Sequence, residues 1–98
     1  MSSLQFEWDD GKAASNRRKH GVSFDEASTV FADESALLIA DPEHSKSEDR
    51  FVLLGLSESA RILVVVHAFR EDENTVRIIS ARRANARERD QYLERWNP

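Results

Sequence analysis

Arginine is concentrated in the last quarter of the chain, where a β-branched run turns directly into an arginine-rich helix, VRIISARRANARERDQYLERW at residues 76–96. Arg77, Arg82 and Arg83 fall within seven positions there. A guanidinium is a planar fork of N–H donors that stays charged at any physiological pH. A cluster of them at a rigid strand-to-helix corner is therefore suited to grip a phosphate or a carboxylate bidentately. With no cysteine, and no metal or phosphate-loop motif that persuades, what remains beside the arginines is three histidines and one tyrosine. His, Arg and Tyr together are the set used by metal-independent RNA cleavage. That reaction needs a base for the 2′-hydroxyl, cations for the charge on the phosphorane and an acid for the departing 5′ oxygen. Each residue also has a plainer explanation: His67 as a packed strand histidine, His20 as a helix-end histidine, and the arginine corner as solvated charge beside a core strand.

The elements that would position these groups are written in capping residues and hydrophobic period. Val76, Ile78 and Ser80 alternate with Arg77, Ile79 and Ala81, as in a strand covered on both faces. If the strand runs that far, Arg82 and Arg83 leave it on opposite faces. Asn85 followed three residues later by Glu88 is a helix start, and Leu93 and Trp96, with Tyr92 beside them, are expected to face inward from that helix. At the other end, Phe6-Glu7-Trp8 reads as a short strand. Asp9 or Asp10 caps a helix to about His20, with Arg17, Arg18 and Lys19 in its last turn and Gly21 ending it. Its inner face is expected to hold Ala13, Asn16 or Arg17, and His20. Ser23 to Glu26 is a capping box, and Phe24, Ala27, Val30 and Phe31 give the helix that follows an apolar stripe, which is core.

Beyond Ser35 the pattern changes to four short apolar runs, 36–40, 50–56, 61–69 and 75–81, separated by polar loops. The connections at 57–60 and 70–74 are short enough for antiparallel hairpins, whereas a parallel crossover needs about ten residues or more. An antiparallel meander follows. The run 62–69 is apolar on both faces and belongs inside the sheet, with His67 on the face of Leu63, Val65 and Phe69.

Composition limits the function classes. Ninety-eight residues make one domain, with 40% hydrophobic and 33% charged residues and no apolar run near the roughly 20 residues of a membrane span. The start, MSSLQFEWDD, is not of signal-peptide type, and a cytoplasmic location fits. The net charge is −4, which argues against a nucleic-acid partner until its distribution is considered. Acids crowd residues 25–49 around the single Lys46, while residues 77–95 carry Arg77, Arg82, Arg83, Arg87, Arg89 and Arg95 against Glu88, Asp90 and Glu94. That asymmetry allows a local positive patch, and a bound phosphate responds to the local field. Asp41, Glu43 and His44 share a loop, but their spacing fits a turn as well as a ligand set, so no metal or other cofactor is expected. No Gly-rich phosphate loop is present, and no basic recognition helix follows a helix-turn-helix spacing, which disfavours direct DNA binding.

Taken together, Phe6-Glu7-Trp8-Asp9, Lys12, Asn16, Lys19-His20-Gly21-Val22-Ser23-Phe24, Glu26-Ala27, Val30-Phe31 and Arg77 through Ala84 with Glu88 and Tyr92 resemble the BrnT family of toxins. The resemblance runs in order over nearly the whole chain, including the loop 41–50 and the run 63–67. It implies a RelE-like α+β fold: two helices packed on an antiparallel four-stranded meander, with a short N-terminal strand as an addition and a C-terminal helix. It implies a type II toxin–antitoxin endoribonuclease that inhibits translation and growth. The implied partners are RNA and a ribbon-helix-helix antitoxin similar to BrnA, in a heterotetramer that binds operator DNA through the antitoxin. Matched residue by residue, it points to His20 or His67 as base or acid, Arg82 in charge stabilisation and Tyr92 orienting the substrate. Arg50, Arg77 and Arg83 bind phosphate on the same resemblance, and Asn16 and Ser80 hold the histidines and the strand end in place. The competing function is a non-catalytic module whose basic corner binds an acidic protein partner.

Overall fold

Each helix starts where a side chain can take up its unpaired backbone N–H groups. In this computed structural model, which describes residues 4–40, 50–72 and 74–96, the Asp9 carboxylate accepts from Lys12 N at 2.9 Å and opens helix α1 (Asp10–His20). Gly21 closes it in the left-handed conformation, φ 69°, its N–H donating to Arg17 O. The Ser23 hydroxyl accepts from Glu26 N to start helix α2 (Phe24–Thr29), which tightens into a 3₁₀ turn at Val30–Ala32. The capping box at Asn85 and Glu88 is complete in both directions and starts helix α3 (Ala86–Leu93).

The strands are β1 (Gln5–Glu7), β2 (Leu37–Ala40), β3 (Arg50–Leu56), β4 (Ile62–Phe69) and β5 (Thr75–Arg83), in the sheet order β1-β5-β4-β3-β2. β2 to β5 form the antiparallel meander, and β1 adds a parallel edge beside β5, so the sheet is mixed and five-stranded. Its two faces have separate cores. Val22, Phe24, Ala27 and Val30 from the N-terminal helical layer cover Leu53, Leu63, Val65, Val76, Ile78 and Ala81 on one face. Tyr92 of α3 covers Val52, Leu54 and Val64 on the other. At Gly55 the chain passes so close to the helical layer that a Cβ would lie 2.9 Å from both Ala36 Cβ and Val30 Cγ1, so only glycine fits.

Three expectations about facing are corrected. β5 carries a bulge: Val66 pairs with Ser80 but His67 pairs with Ile78, which leaves Ile79 without an opposite residue. One extra residue inverts the alternation, so Ala81, not Ser80, joins Val76 and Ile78 in the core. On α3, Leu93 is 46% exposed and Tyr92 is 1% exposed. Successive helical residues point about 100° apart, and the helix docks through Tyr92. On α1, Asn16 is buried while Arg17 and His20 are exposed, because this polar helix is held to the sheet by Asn16 hydrogen bonds and by Ala13 at the edge of the core. The Asp41-Pro42 turn, the Asp41, Glu43 and His44 group and the side chain of Trp96 lie outside the described residues.

Candidate active site at the strand-to-helix corner

The corner is built on one buried amide. Asn16 Nδ2 donates to Val22 O at 3.0 Å and Ala81 O at 2.8 Å, and its Oδ1 accepts from Ala81 N at 3.1 Å. These bonds fix the last turn of α1 and the segment after it to β5 immediately before Arg82 and Arg83. Asn16 thus holds the strand end and bonds to no histidine; Ser80, its expected companion in support, makes no side-chain hydrogen bond among the described residues.

β5 continues through Arg83, and the register puts Arg82 opposite Val64 and Arg83 opposite Leu63. Val64 faces α3 and Leu63 faces the helical layer, so the two guanidiniums leave on opposite faces. Arg82 lies against α3 and bonds Glu88 bidentately, at 2.7 and 2.9 Å, while Glu88 also accepts from Asn85 N at 2.9 Å. The Arg82 guanidinium accordingly holds the Glu88 carboxyl below its usual range.

The Arg83 side chain has no hydrogen bond or ion pair among the described residues. It lines a concavity of about 240 Å³ together with Ala60, Arg61, Ile62, Ala84 and Arg89. Arg61 is anchored by Glu26, which takes both its Nε (2.9 Å) and its Nη2, and by Gly21 O at 3.2 Å; Ser57 Oγ donates to the same carboxylate at 2.7 Å. The Arg61 hydrogen bonds push the Glu26 carboxyl below its usual value. His20 immediately precedes Gly21, whose carbonyl accepts from Arg61, so the end of α1 reaches Arg61; Arg17, a turn earlier, lines a separate concavity with Trp8, Ser23 and Phe24.

The other residues singled out in the sequence do not converge there. Arg50, Ala68 and Arg77 form one cross-strand row at the opposite end of the sheet, and Arg77 and Arg70 both bond Glu7 Oε2, at 3.2 and 3.4 Å. That row is five residues along β4 from Leu63, roughly 17 Å at 3.3 Å per residue.

His67 and Tyr92 lie apart from this corner. His67 is fully buried on the face of Leu63 and Val65, with ring centroids 4.8 Å from Phe31, 5.4 Å from Phe69 and 6.1 Å from Phe51. Its Nδ1 lies 3.2 Å from Val65 O, and Nε2 has no partner among the described residues. The ring exposes no surface to solvent. Tyr92 is sealed under α3 on the other face, its hydroxyl donating to Asp33 Oδ2 at 2.6 Å, so it braces the packing of α3. Desolvation lowers the His67 pKa from its ordinary 6.5, so the unfolded chain takes up a proton in mild acid that the folded chain refuses. The contribution of His67 to stability is whole above pH 6.5 and is lost as pH falls below it. Thermal unfolding of His67→Leu is expected to show a shallower fall in Tm from about pH 7 to about pH 5 than the parent; equal slopes contradict this.

Arg61 and Arg89 were not singled out in the sequence. Glu26 and Arg61 are 35 residues apart, and no local pattern links a capping-box glutamate to an arginine opening a later strand.

Residues 8–88 match the model of a family described as the ribonuclease toxin, BrnT, of type II toxin–antitoxin systems. The chain belongs to the BrnT family. The expected resemblance and α+β fold are borne out, and as a BrnT chain the protein is a ribonuclease toxin of a type II system, with an antitoxin as its partner. A solved structure with the same fold is the ribonuclease toxin BrnT of Brucella abortus, 22% identical, with a TM-score of 0.66 over 85% of this chain and 99% of that one. No curated protein matches the chain. Among the described residues of this BrnT chain no helix is long and apolar enough to cross a membrane.

Proposed function

We propose that this chain is an endoribonuclease that cleaves RNA by metal-independent transesterification at the corner where β5 meets α3. The observation that carries the proposal is Arg83. Its exposed guanidinium makes no hydrogen bond or ion pair with a carboxylate among the described residues, and it is set at a strand end that Asn16 ties to the helix carrying His20. In the proposed reaction the 2′-oxygen of the substrate attacks the adjacent phosphorus and the 5′-oxygen departs. Arg83 offsets the charge that grows on the phosphorane, and Arg82, held by Glu88 on the other face, is proposed to add to the positive field of the corner. His20 is the proposed proton-transfer residue, because it is an exposed imidazole at the end of α1, next to Gly21, whose carbonyl accepts from Arg61. The groups proposed to act there are guanidiniums and an imidazole, which suit charge stabilisation and proton transfer. Arg50 and Arg77 at the far end of the sheet are proposed to hold a second stretch of backbone.

The proposed partner is a BrnA-like ribbon-helix-helix antitoxin, joined with the toxin in a heterotetramer that binds operator DNA, in the cytoplasm. The reaction is tested by incubating purified protein with RNA in excess chelator. Retained cleavage yielding 2′,3′-cyclic phosphate ends is the expected result. Activity abolished by the chelator and restored by a divalent cation would sink the metal-free mechanism.

A further inference from the structure

Resting on that reading, we infer that Arg61 and Arg89 join Arg83 in a single oxyanion seat between the β3–β4 turn and the β5–α3 corner, and that its ligand is a phosphate group of the RNA backbone. The three guanidiniums come from three separate parts of the chain and line one concavity of about 240 Å³, whose other walls are Ala60, Ile62 and Ala84. None of these lining residues is a carboxylate. At about 30 Å³ per water molecule, the space suits a phosphate group and a few waters.

Arg61 is the fixed member. Glu26 and Gly21 O engage its Nε and Nη2, which leaves the two N–H groups of Nη1 outside those bonds. Glu26 is a nearby carboxylate: it bonds Arg61 and the Ser57 hydroxyl, and it feels the Arg83 charge without a hydrogen bond or ion pair to it. The side chains of Arg83 and Arg89 have no hydrogen bond or ion pair among the described residues. Like charges that line one concavity repel, and more strongly at a protein surface than in bulk water. A bound anion reverses the sign of that cost. Guanidiniums from three separate elements suit a tetrahedral phosphate, whose oxygens point in three dimensions. A carboxylate offers two oxygens in one plane, so an acidic segment of a protein partner fits the seat less well.

The test follows the arginine Nε–H resonances of the intact protein while inorganic phosphate is added, with chloride at equal ionic strength as the control. The resonances of Arg61, Arg83 and Arg89 are expected to move together on one saturating curve that chloride does not reproduce. Arg89→Ala is expected to weaken binding of a 2′-O-methyl RNA, which cannot be cleaved by attack of its 2′-oxygen, by about tenfold and to lower its salt slope by about 1. Drift with phosphate no greater than with chloride, or unchanged RNA affinity in Arg89→Ala, overturns the seat. A glutamate decapeptide that moves the three resonances while the RNA does not also overturns it, in favour of a protein ligand. Phosphate binding and the Arg89→Ala effect without RNA cleavage leave the seat standing and remove the proposed reaction; cleavage without them removes the seat alone.

Discussion

Arg83→Ala is expected to slow single-turnover RNA cleavage by about 10²–10³, the usual effect of removing one preorganised donor from a site where negative charge develops. The same change relieves growth arrest when the protein is expressed without its antitoxin. Its stability is expected to stay within about 0.5 kcal/mol of the parent, because the side chain is exposed and has no hydrogen bond or ion pair to lose among the described residues. Cleavage rates and thermal unfolding of the same preparation check both halves. Arg82→Ala is the less clean companion. It breaks the bidentate bond to Glu88, and Glu88 also closes the cap of α3, so lost activity there mixes lost charge with a loosened helix. Full toxicity in both variants would remove the corner from the mechanism.

Asn16→Leu is expected to produce the largest change in stability. The substitution keeps an apolar fill but removes three buried hydrogen bonds, leaving Ala81 N, Ala81 O and Val22 O without that partner. At about 1–3 kcal/mol for each orphaned buried group, the loss is at least about 3 kcal/mol. That corresponds to a fall in Tm of roughly 12–24 °C for a domain of this size. Urea unfolding with an unchanged m-value is the check, and a loss below about 1 kcal/mol would show that α1 is held by something else. Because the amide clamps β5 next to Arg82, the folded fraction of the variant is also expected to cleave RNA more slowly.

What was legible in the sequence was mostly local. Asp9, Ser23, Gly21 and the Asn85–Glu88 pair each act on backbone within a few residues, so spacing alone places α1, α2 and α3. The run 62–69 is apolar on both faces, and that symmetry placed β4 inside the sheet and His67 on the face of Leu63 and Val65. The role of His67 was not legible, because Phe31 and Phe51 arrive from distant segments to enclose it. The bulge at Ile79 depends on how β5 pairs with β4, and one unpaired residue was enough to exchange Ser80 for Ala81 in the core. Tyr92 and Leu93 are neighbours on a short helix, where a turn of about 100° decides which is buried, and docking makes that choice.

The arginines illustrate the same division. Their number and their concentration after β5 could be read directly, but their grouping could not. Arg77 ends up with Arg70 against Glu7 at the far end of the sheet, while Arg83 meets Arg61 and Arg89, which sequence spacing had not connected with it. The meander produces this by bringing the start of β4 and the end of β5 side by side, Leu63 against Arg83.

The central claim is that the reaction belongs to the exposed corner and not to the buried histidine. Single-turnover cleavage of one RNA oligonucleotide in excess chelator, compared across His67→Leu, Arg83→Ala and the parent, tests it most directly. The account predicts that folded His67→Leu stays within a few-fold of the parent while Arg83→Ala falls by about 10² or more. A folded His67→Leu protein that loses activity by about 10² while Arg83→Ala cleaves normally would contradict it.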